Sequence, residues 1–181
     1  MAELKRRLVD RVADPSYRGD LQGRSMDELK SMRDESREAE GEVSFERRLC
    51  QGRIDILTAE LDRRDGKTTG DLLSRLPQIL AEERSAPSSS APLPDRAPDF
   101  SIPKNSGIVR RRVEEIAGET TLARLNELPD DEIRKIVESL AQHERNLSAT
   151  RKGVHETLDA IQAEIVRRYT SGEEDPSALL R

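Results

Sequence analysis

Apolar and small residues recur along two stretches of the chain at alternating steps of three and four residues. The first seam comprises Leu29, Met32, Ser36, Ala39, Val43, Cys50, Ile54, Leu57 and Leu61. The second comprises Ile133, Ile136, Leu140, His143, Leu147, Val154, Leu158, Ile161 and Ile165. This spacing predicts an all-α protein with two long helices that pack along a coiled-coil seam. Glu46 interrupts the first seam, and Gly41 and Gly52 weaken its helix.

Capping signals predict where the long helices begin and end. Ser25 and Glu28 form a capping box, in which the serine oxygen accepts from the Glu28 amide and the carboxylate accepts from the serine amide. The first helix therefore begins after Ser25, and it closes just before Gly66. Pro129 and the acidic residues that follow suit the N-terminus of the second helix, which ends within 169–172.

The chain is expected to divide into five segments. They are residues 1–20 with a short helix at 3–13, residues 21–65 with the first coiled-coil helix, residues 66–107 as a linker with a short helix near 71–83, residues 108–172 with a short helix and the second coiled-coil helix, and residues 173–181 as a tail. The proline- and serine-rich composition of 85–106 is typical of a flexible linker. The helix at 3–13 is too short to be stable alone, so it docks on its own chain or on a partner.

Charge predicts that the two long helices run antiparallel. Residues 26–46 hold eight acids and three bases, whereas residues 47–64 hold three acids and five bases, and the second helix shows the same trend around Arg151. An antiparallel arrangement sets the acidic half of each helix against the basic half of the other. The middles of the two helices then meet with approximate two-fold symmetry.

A polar stripe repeats at an offset of 104 residues. Its positions follow the spacing E-x3-S-x2-R-x3-Q/H-x3-D, with Glu40, Ser44, Arg47, Gln51 and Asp55 in the first copy and Glu144, Ser148, Arg151, His155 and Asp159 in the second. Steps of three and four keep these side chains on one face of a helix. Over residues 21–64 and 125–168, 11 of 44 aligned positions are identical. The sequence therefore predicts two copies of one helical unit.

Composition and net charge argue against a thick globular core, a general nucleic-acid binder and a membrane protein. Only 34% of the residues are apolar, 37% are charged and 2% are aromatic, which suits a narrow seam better than a thick core. A net charge of −5 argues against a general nucleic-acid binder. The lone Cys50 excludes an intrachain disulfide and fits a reducing compartment, and it is interpreted as a small seam residue. No signal peptide or run of 18 apolar residues is present, so we expect a cytoplasmic protein without a membrane segment.

The residue types in the stripe suit a purine nucleotide. Arginine guanidinium groups stack on purines and fork onto phosphate or onto guanine, while carboxylates accept from the Watson–Crick edge of guanine. Serine donates to phosphate, and glutamine satisfies either kind of edge. An ordinary solvated salt-bridge face is the alternative, although it does not explain why these positions stay identical while their neighbours diverge.

The duplicated stripe on two coiled-coil helices resembles the signature of the RsiG family of actinobacterial anti-sigma factors. The resemblance implies an antiparallel coiled coil that binds a dimer of cyclic di-GMP and then sequesters a WhiG-type sporulation sigma factor from core RNA polymerase. It also implies that all ten stripe residues line the nucleotide site. His155 departs from the family's glutamine, which leaves its role open.

Two other functional classes are considered. An enzyme is disfavoured because the chain has no glycine-rich phosphate loop, no nucleophile paired with a base and no Cys/His metal cluster. A structural coiled-coil adaptor without a small ligand is the stronger alternative, and nucleotide binding distinguishes it from a receptor. His143 is interpreted as a seam residue rather than a ligand. We expect no metal and no direct contact with DNA.

Overall fold

The computed structural model describes residues 7–67, 102–104 and 106–174, and this part of the chain is helical throughout its regular elements. Its α-helices are α1 (Leu8–Ala13), α2 (Met26–Arg64), α3 (Ser106–Val109), α4 (Arg111–Ala117), α5 (Glu119–Ala123) and α6 (Asp130–Ser171). Short 3-10 helices cover Pro15–Arg18 and Leu125–Glu127. The predicted all-α class is confirmed. The helix predicted near 71–83 and most of the linker predicted for 85–106 lie outside the described residues.

The chain divides into two compact units, and each long helix contributes to both. The first unit comprises Met1–Ser44 and Ser148–Arg181, and the second comprises Phe45–Leu147. Within the first unit, Met26 and Leu29 near the start of α2 share a hydrophobic cluster with Ile161 and Ile165 near the end of α6. The two helices are therefore antiparallel in this unit, as predicted.

The second unit has the same antiparallel arrangement. Arg64, in the last turn of α2, donates through Nη1 to Oδ1 of Asp130 at the start of α6, over 2.7 Å. Closer to the middle of each helix, Arg47 of α2 contacts Glu144 of α6. Residue numbers rise along one helix as they fall along the other in this unit too.

The seam positions supply most of the buried apolar surface. Those with less than a tenth of their surface exposed are Leu29, Ser36, Ala39, Val43, Cys50, Leu57 and Leu61 in α2, and Ile133, Leu140, Leu147, Val154, Leu158, Ile161 and Ile165 in α6. The other predicted seam residues, Met32, Ile54, Ile136 and His143, are half-buried. Because full burial of a leucine or isoleucine side chain stabilises by about 1.5–3 kcal/mol, this seam is the main source of stability.

Cys50 lies in the seam with no exposed surface. Burial raises the pKa of its thiol to about 12, and the negative charges of Glu46 and Glu144 act in the same direction. The raised pKa and the full burial both disfavour the reactive thiolate in the folded chain. The interpretation of Cys50 as a packing residue agrees with this environment.

The ends of α2 follow the predicted capping chemistry. Ser25 Oγ accepts from the Glu28 amide at 3.2 Å, and the Glu28 carboxylate accepts from the Ser25 amide at 2.8 Å. At the other end, Gly66 has a φ of 70°, and its amide donates to the carbonyl of Arg63. The amide of Lys67 reaches back to the carbonyl of Asp62, which completes a Schellman turn.

The short helix α1 packs closely on α6 in the first unit. Thr157 donates through Oγ1 to the carbonyl of Val12 at 2.9 Å, and the threonine side chain is buried. A Cβ placed on Gly153 would lie only 3.0 Å from the carbonyl oxygen of Ala13. The helix predicted at 3–13 is therefore observed over Leu8–Ala13, and it docks on its own chain.

In the second unit, α4 occupies the corresponding place in the repeat. It is 104 residues after α1, and identical residues recur at Val9 and Val113 and at Ala13 and Ala117. Instead of a threonine hydroxyl, an ion pair between Arg53 of α2 and Glu114 connects this helix to the long one. The repeat thus includes the short helix and is longer than the 44 aligned positions indicate.

In each unit, a buried glutamate and the arginine four residues later connect the end of one long helix to the turn that precedes the other long helix. In the second unit, Glu60 is fully buried and accepts from Arg64 Nε at 2.7 Å. The other nitrogens of that guanidinium donate to the carbonyls of Leu125 and Leu128. One arginine therefore closes the turn that leads into α6.

The first unit repeats this arrangement with Glu164 and Arg168. Arg168 Nε donates to Glu164 at 2.8 Å, and its Nη2 donates to the carbonyls of Leu21 and Gln22 at 3.0 and 3.1 Å. Bonds from Arg167 and Arg168 lower the pKa of Glu164 to about 2. The identity of these residues between the two copies is thus explained by a shared structural role.

Candidate functional site

The stripe lies in the middle of each long helix, where its side chains are partly exposed. Every stripe residue of α2 is half-buried, and so are the first four of α6. Asp159, the last residue of the second copy, is exposed. The stripe is therefore accessible from solvent along one face of each helix.

In the first unit, stripe residues from both helices form a cluster that comprises Glu40, Ser44, Arg151 and His155. Arg151 Nε donates to Ser44 Oγ at 2.8 Å and to Glu40 Oε1 at 3.2 Å. The Ser44 hydroxyl donates to the same Glu40 oxygen at 2.7 Å. His155 Nε2 lies 3.5 Å from it. We call this group the first cluster.

In the second unit, the same stripe positions come together with the helices exchanged. Arg47 Nε donates to Glu144 Oε1 at 2.8 Å, and Gln51 Nε2 lies 3.5 Å from the same oxygen. We call Arg47, Gln51 and Glu144 the second cluster. In both clusters, the glutamate of one motif copy holds the arginine of the other.

Comparison of the two clusters shows that His155 occupies the position equivalent to that of Gln51. Its Nε2 is 3.5 Å from Oε1 of Glu40, and the amide nitrogen of Gln51 is 3.5 Å from Oε1 of Glu144. The imidazole thus stands in the position of the glutamine side chain against the equivalent carboxylate. The replacement of glutamine by histidine in the second motif copy therefore keeps a nitrogen atom near the carboxylate oxygen of the motif glutamate.

The remaining predicted site residues are Ser148, Asp55 and Asp159. Ser148 is half-buried on α6, one turn after Glu144. Asp55 is half-buried on α2, where burial raises the pKa of its carboxyl. Asp159 is exposed on α6. The two aspartates thus have different environments although they occupy the same motif position.

Sequence reasoning did not find one polar pair beside the second cluster. His143 Nε2 lies 2.9 Å from Oε1 of Glu46, and that glutamate has no exposed surface. The residue interpreted as an interruption of one seam is thus paired with the histidine of the other. The corresponding residues of the repeat are Thr150 and Ala39, so this pair is specific to the second unit.

The clusters offer a fixed set of binding groups. Arginine and serine donate to phosphate oxygens, carboxylates accept from base edges, and an arginine plane stacks on a base. Across residues 7–67, 102–104 and 106–174, no group of three or more His, Cys, Asp or Glu side chains is placed to hold a metal ion. No helix in this part of the chain is long and apolar enough to cross a membrane.

Fold and clusters together define an all-α protein with an antiparallel pair of long helices and a duplicated polar motif. The RsiG-like family model matches residues 15–80 and 119–181, so the chain belongs to the RsiG-like family. The two matched segments begin 104 residues apart, which is the offset of the repeat. No curated protein matches the chain significantly. Family membership indicates an anti-sigma factor.

Proposed function

We propose that the chain is an anti-sigma factor that is activated by the binding of cyclic di-GMP. The nucleotide binds the stripe residues, and the loaded protein sequesters a WhiG-type sporulation sigma factor from core RNA polymerase. The observation that carries this proposal is the repeated pairing of a motif arginine with the motif glutamate of the other helix, at 2.8 Å in the second cluster and 3.2 Å in the first. Each pair brings a donor of one motif copy beside an acceptor of the other copy, as an antiparallel arrangement of the two helices requires.

The ligand's chemistry suits the residues of the stripe. Cyclic di-GMP carries two guanines and two phosphates, and Arg47 and Arg151 offer guanidinium planes for either part. Asp55 is a half-buried acceptor for the two N–H groups on the Watson–Crick edge of guanine. The duplication of the motif suits a dimer of the nucleotide.

The mechanism is a binding switch without covalent chemistry or a metal. The ligand covers the polar stripe, compensates the arginine charges and completes a surface for the sigma factor. Ligand and partner then raise each other's affinity by the same factor, because coupling between two sites is reciprocal. A protein with this role acts in the cytoplasm, where sigma factor and polymerase are found.

Capture of the sigma factor with and without nucleotide tests this proposal. The immobilised full chain is incubated with a purified WhiG-type sigma factor, and bound protein is measured as cyclic di-GMP is added. We expect retention to rise at least tenfold at saturating nucleotide. Equal retention at every concentration would refute the coupling. If neither nucleotide nor sigma factor binds, a structural coiled-coil adaptor is the better description.

A further inference from the structure

Each cluster directs several donors to a single carboxylate oxygen. In the first cluster, Glu40 Oε1 accepts from Ser44 and Arg151 and lies 3.5 Å from His155 Nε2. In the second cluster, Glu144 Oε1 accepts from Arg47 at 2.8 Å and lies 3.5 Å from the Gln51 amide nitrogen. An anionic oxygen therefore already occupies the point where the motif donors converge.

We infer that Glu40 and Glu144 act as internal competitors that weaken the binding of an anionic ligand to the stripe. This inference rests on the proposed function of the stripe as a nucleotide site. A phosphate oxygen requires the same Nε–H and hydroxyl donors, and a donor that is shared between two acceptors bonds at least one of them over a longer distance, as Arg151 Nε does with Glu40 at 3.2 Å. Binding of phosphate therefore displaces the carboxylate from its arginine.

The exposure of these pairs allows the exchange. The side chains of Arg47 and Glu144 are 31% and 20% exposed, and those of Arg151 and Glu40 are 38% and 17% exposed. Pairs that water reaches contribute little to stability, because solvent screens the charges. A ligand can therefore displace each carboxylate from its arginine at little cost in stability.

Charge reinforces the competition. Each glutamate carries one negative charge that compensates its arginine, so a phosphate approaches a pair that is already neutralised. Conversion of the glutamate to glutamine keeps the size and the hydrogen-bonding oxygen but removes the charge. The arginine is then left with a net positive charge for the ligand. The two glutamates thus set the nucleotide concentration at which the stripe is filled.

Calorimetry with the full-length chain tests this inference. Cyclic di-GMP is titrated into wild type, Glu40→Gln, Glu144→Gln and the double variant. We expect each single variant to bind about 3- to 10-fold more tightly than wild type, in proportion to a weak, screened ion pair, and the double variant to bind most tightly. Circular dichroism checks that every variant keeps its helical content.

Two matched controls separate competition from a general charge effect. Glu38 and Glu138 are exposed on α2 and α6 and lie outside both clusters. Glu38→Gln and Glu138→Gln remove the same charge from the same helices, so they should change affinity less than about twofold. An equal gain in affinity in the controls would overturn the inference, as would tenfold weaker binding in Glu40→Gln, which would make that glutamate a direct ligand.

A second titration with inorganic pyrophosphate distinguishes this inference from the proposed function. If cyclic di-GMP binds none of the proteins but pyrophosphate binds the double variant more tightly than wild type, the glutamates are competitors and the proposed ligand is wrong. If neither anion binds the double variant more tightly than wild type, the competitor role is wrong, whichever ligand wild type takes.

Discussion

The Nε of Arg47 lies 2.8 Å from Oε1 of Glu144, and these residues belong to different long helices and to different copies of the motif. The guanidinium group of one copy is thus oriented by a carboxylate of the other. Neither helix alone would hold this geometry, so the arrangement of the stripe side chains depends on the pairing of α2 with α6.

Replacement of Arg47 or Arg151 by alanine should weaken the binding of cyclic di-GMP. Loss of a hydrogen bond to a charged group costs about 1.5–3 kcal/mol, so we expect each variant to bind about 10- to 100-fold more weakly in calorimetry. Arg37→Ala is the matched control, because Arg37 is an exposed arginine of α2 outside the clusters. Unchanged affinity in both stripe variants would exclude the arginines from the site.

Arg168→Ala should strongly destabilise the fold. The variant leaves Glu164, which is only 8% exposed, without one of its guanidinium partners and removes the donor to the carbonyls of Leu21 and Gln22. Breaking one side of a buried pair costs about 3–5 kcal/mol, which urea unfolding measures. Arg167→Ala removes an exposed arginine that binds the same glutamate, and it should cost much less than Arg168→Ala because solvent screens that pair. Similar losses in the two variants would contradict the connecting role of Arg168.

Stability should fall in acid partly through Glu164. Its pKa is lowered to about 2 by bonds from Arg167 and Arg168, against an ordinary value of 4.5. A carboxyl with a depressed folded-state pKa stabilises the fold above the unfolded-state value, and this contribution is lost as pH falls from about 4.5 towards 2. Urea midpoints at pH 7, 4 and 3 should therefore fall less steeply for Glu164→Gln than for wild type. Glu38→Gln controls for the loss of one charge and should follow wild type.

The buried pair of Glu46 and His143 should be more costly to break than to replace. Glu46 has no exposed surface and His143 is 17% exposed. His143→Leu alone removes the imidazole that contacts a buried glutamate and should cost about 1–3 kcal/mol, as expected when a buried polar group loses a hydrogen-bond partner. The double variant Glu46→Met with His143→Leu gives a continuous apolar seam and should be as stable as wild type or more so. Additive losses in the double-mutant cycle would show that the two residues act independently.

Gly41→Ala should stabilise the protein. Gly41 lies within α2, and a Cβ placed there meets no atom within 4 Å. An alanine loses less chain entropy on folding, so we expect a gain of about 0.5–1 kcal/mol and a higher midpoint in thermal unfolding. Gly153→Ala is the informative contrast, because a Cβ there would lie 3.0 Å from the Ala13 carbonyl oxygen and force α1 to move. A gain in both variants would show that α1 docks more loosely than described.

The elements that follow from local chemistry could be predicted from the sequence. The seam depends on a periodicity that any helix imposes, and the cap at Ser25 and Glu28 involves residues only three apart. The antiparallel direction followed from a charge gradient that runs along each helix. These signals all lie within one element or are summed over many residues, so they do not require knowledge of individual contacts.

Pairings between helices could not be predicted in the same way. The sequence places Glu40 and Arg151 on polar stripes, but which residue lies opposite which depends on the register of the two helices. For the same reason, the sequence pattern marks Glu46 as an interruption of the seam and does not reveal its contact with His143. The role of Arg168 depends on the turn after Leu21, where the chain brings carbonyl groups to a distant helix. That turn has no periodic signal.

The complete burial of Cys50 gives the protein an internal reporter. A thiol reagent reaches this sulfur only when the packing around it opens, so the rate of modification follows the lifetime of the closed state rather than the reactivity of the cysteine. Any molecule that stabilises the packing of α2 against α6 will slow the modification of Cys50. Modification of Cys50 thus reports the opening of the chain without an introduced label.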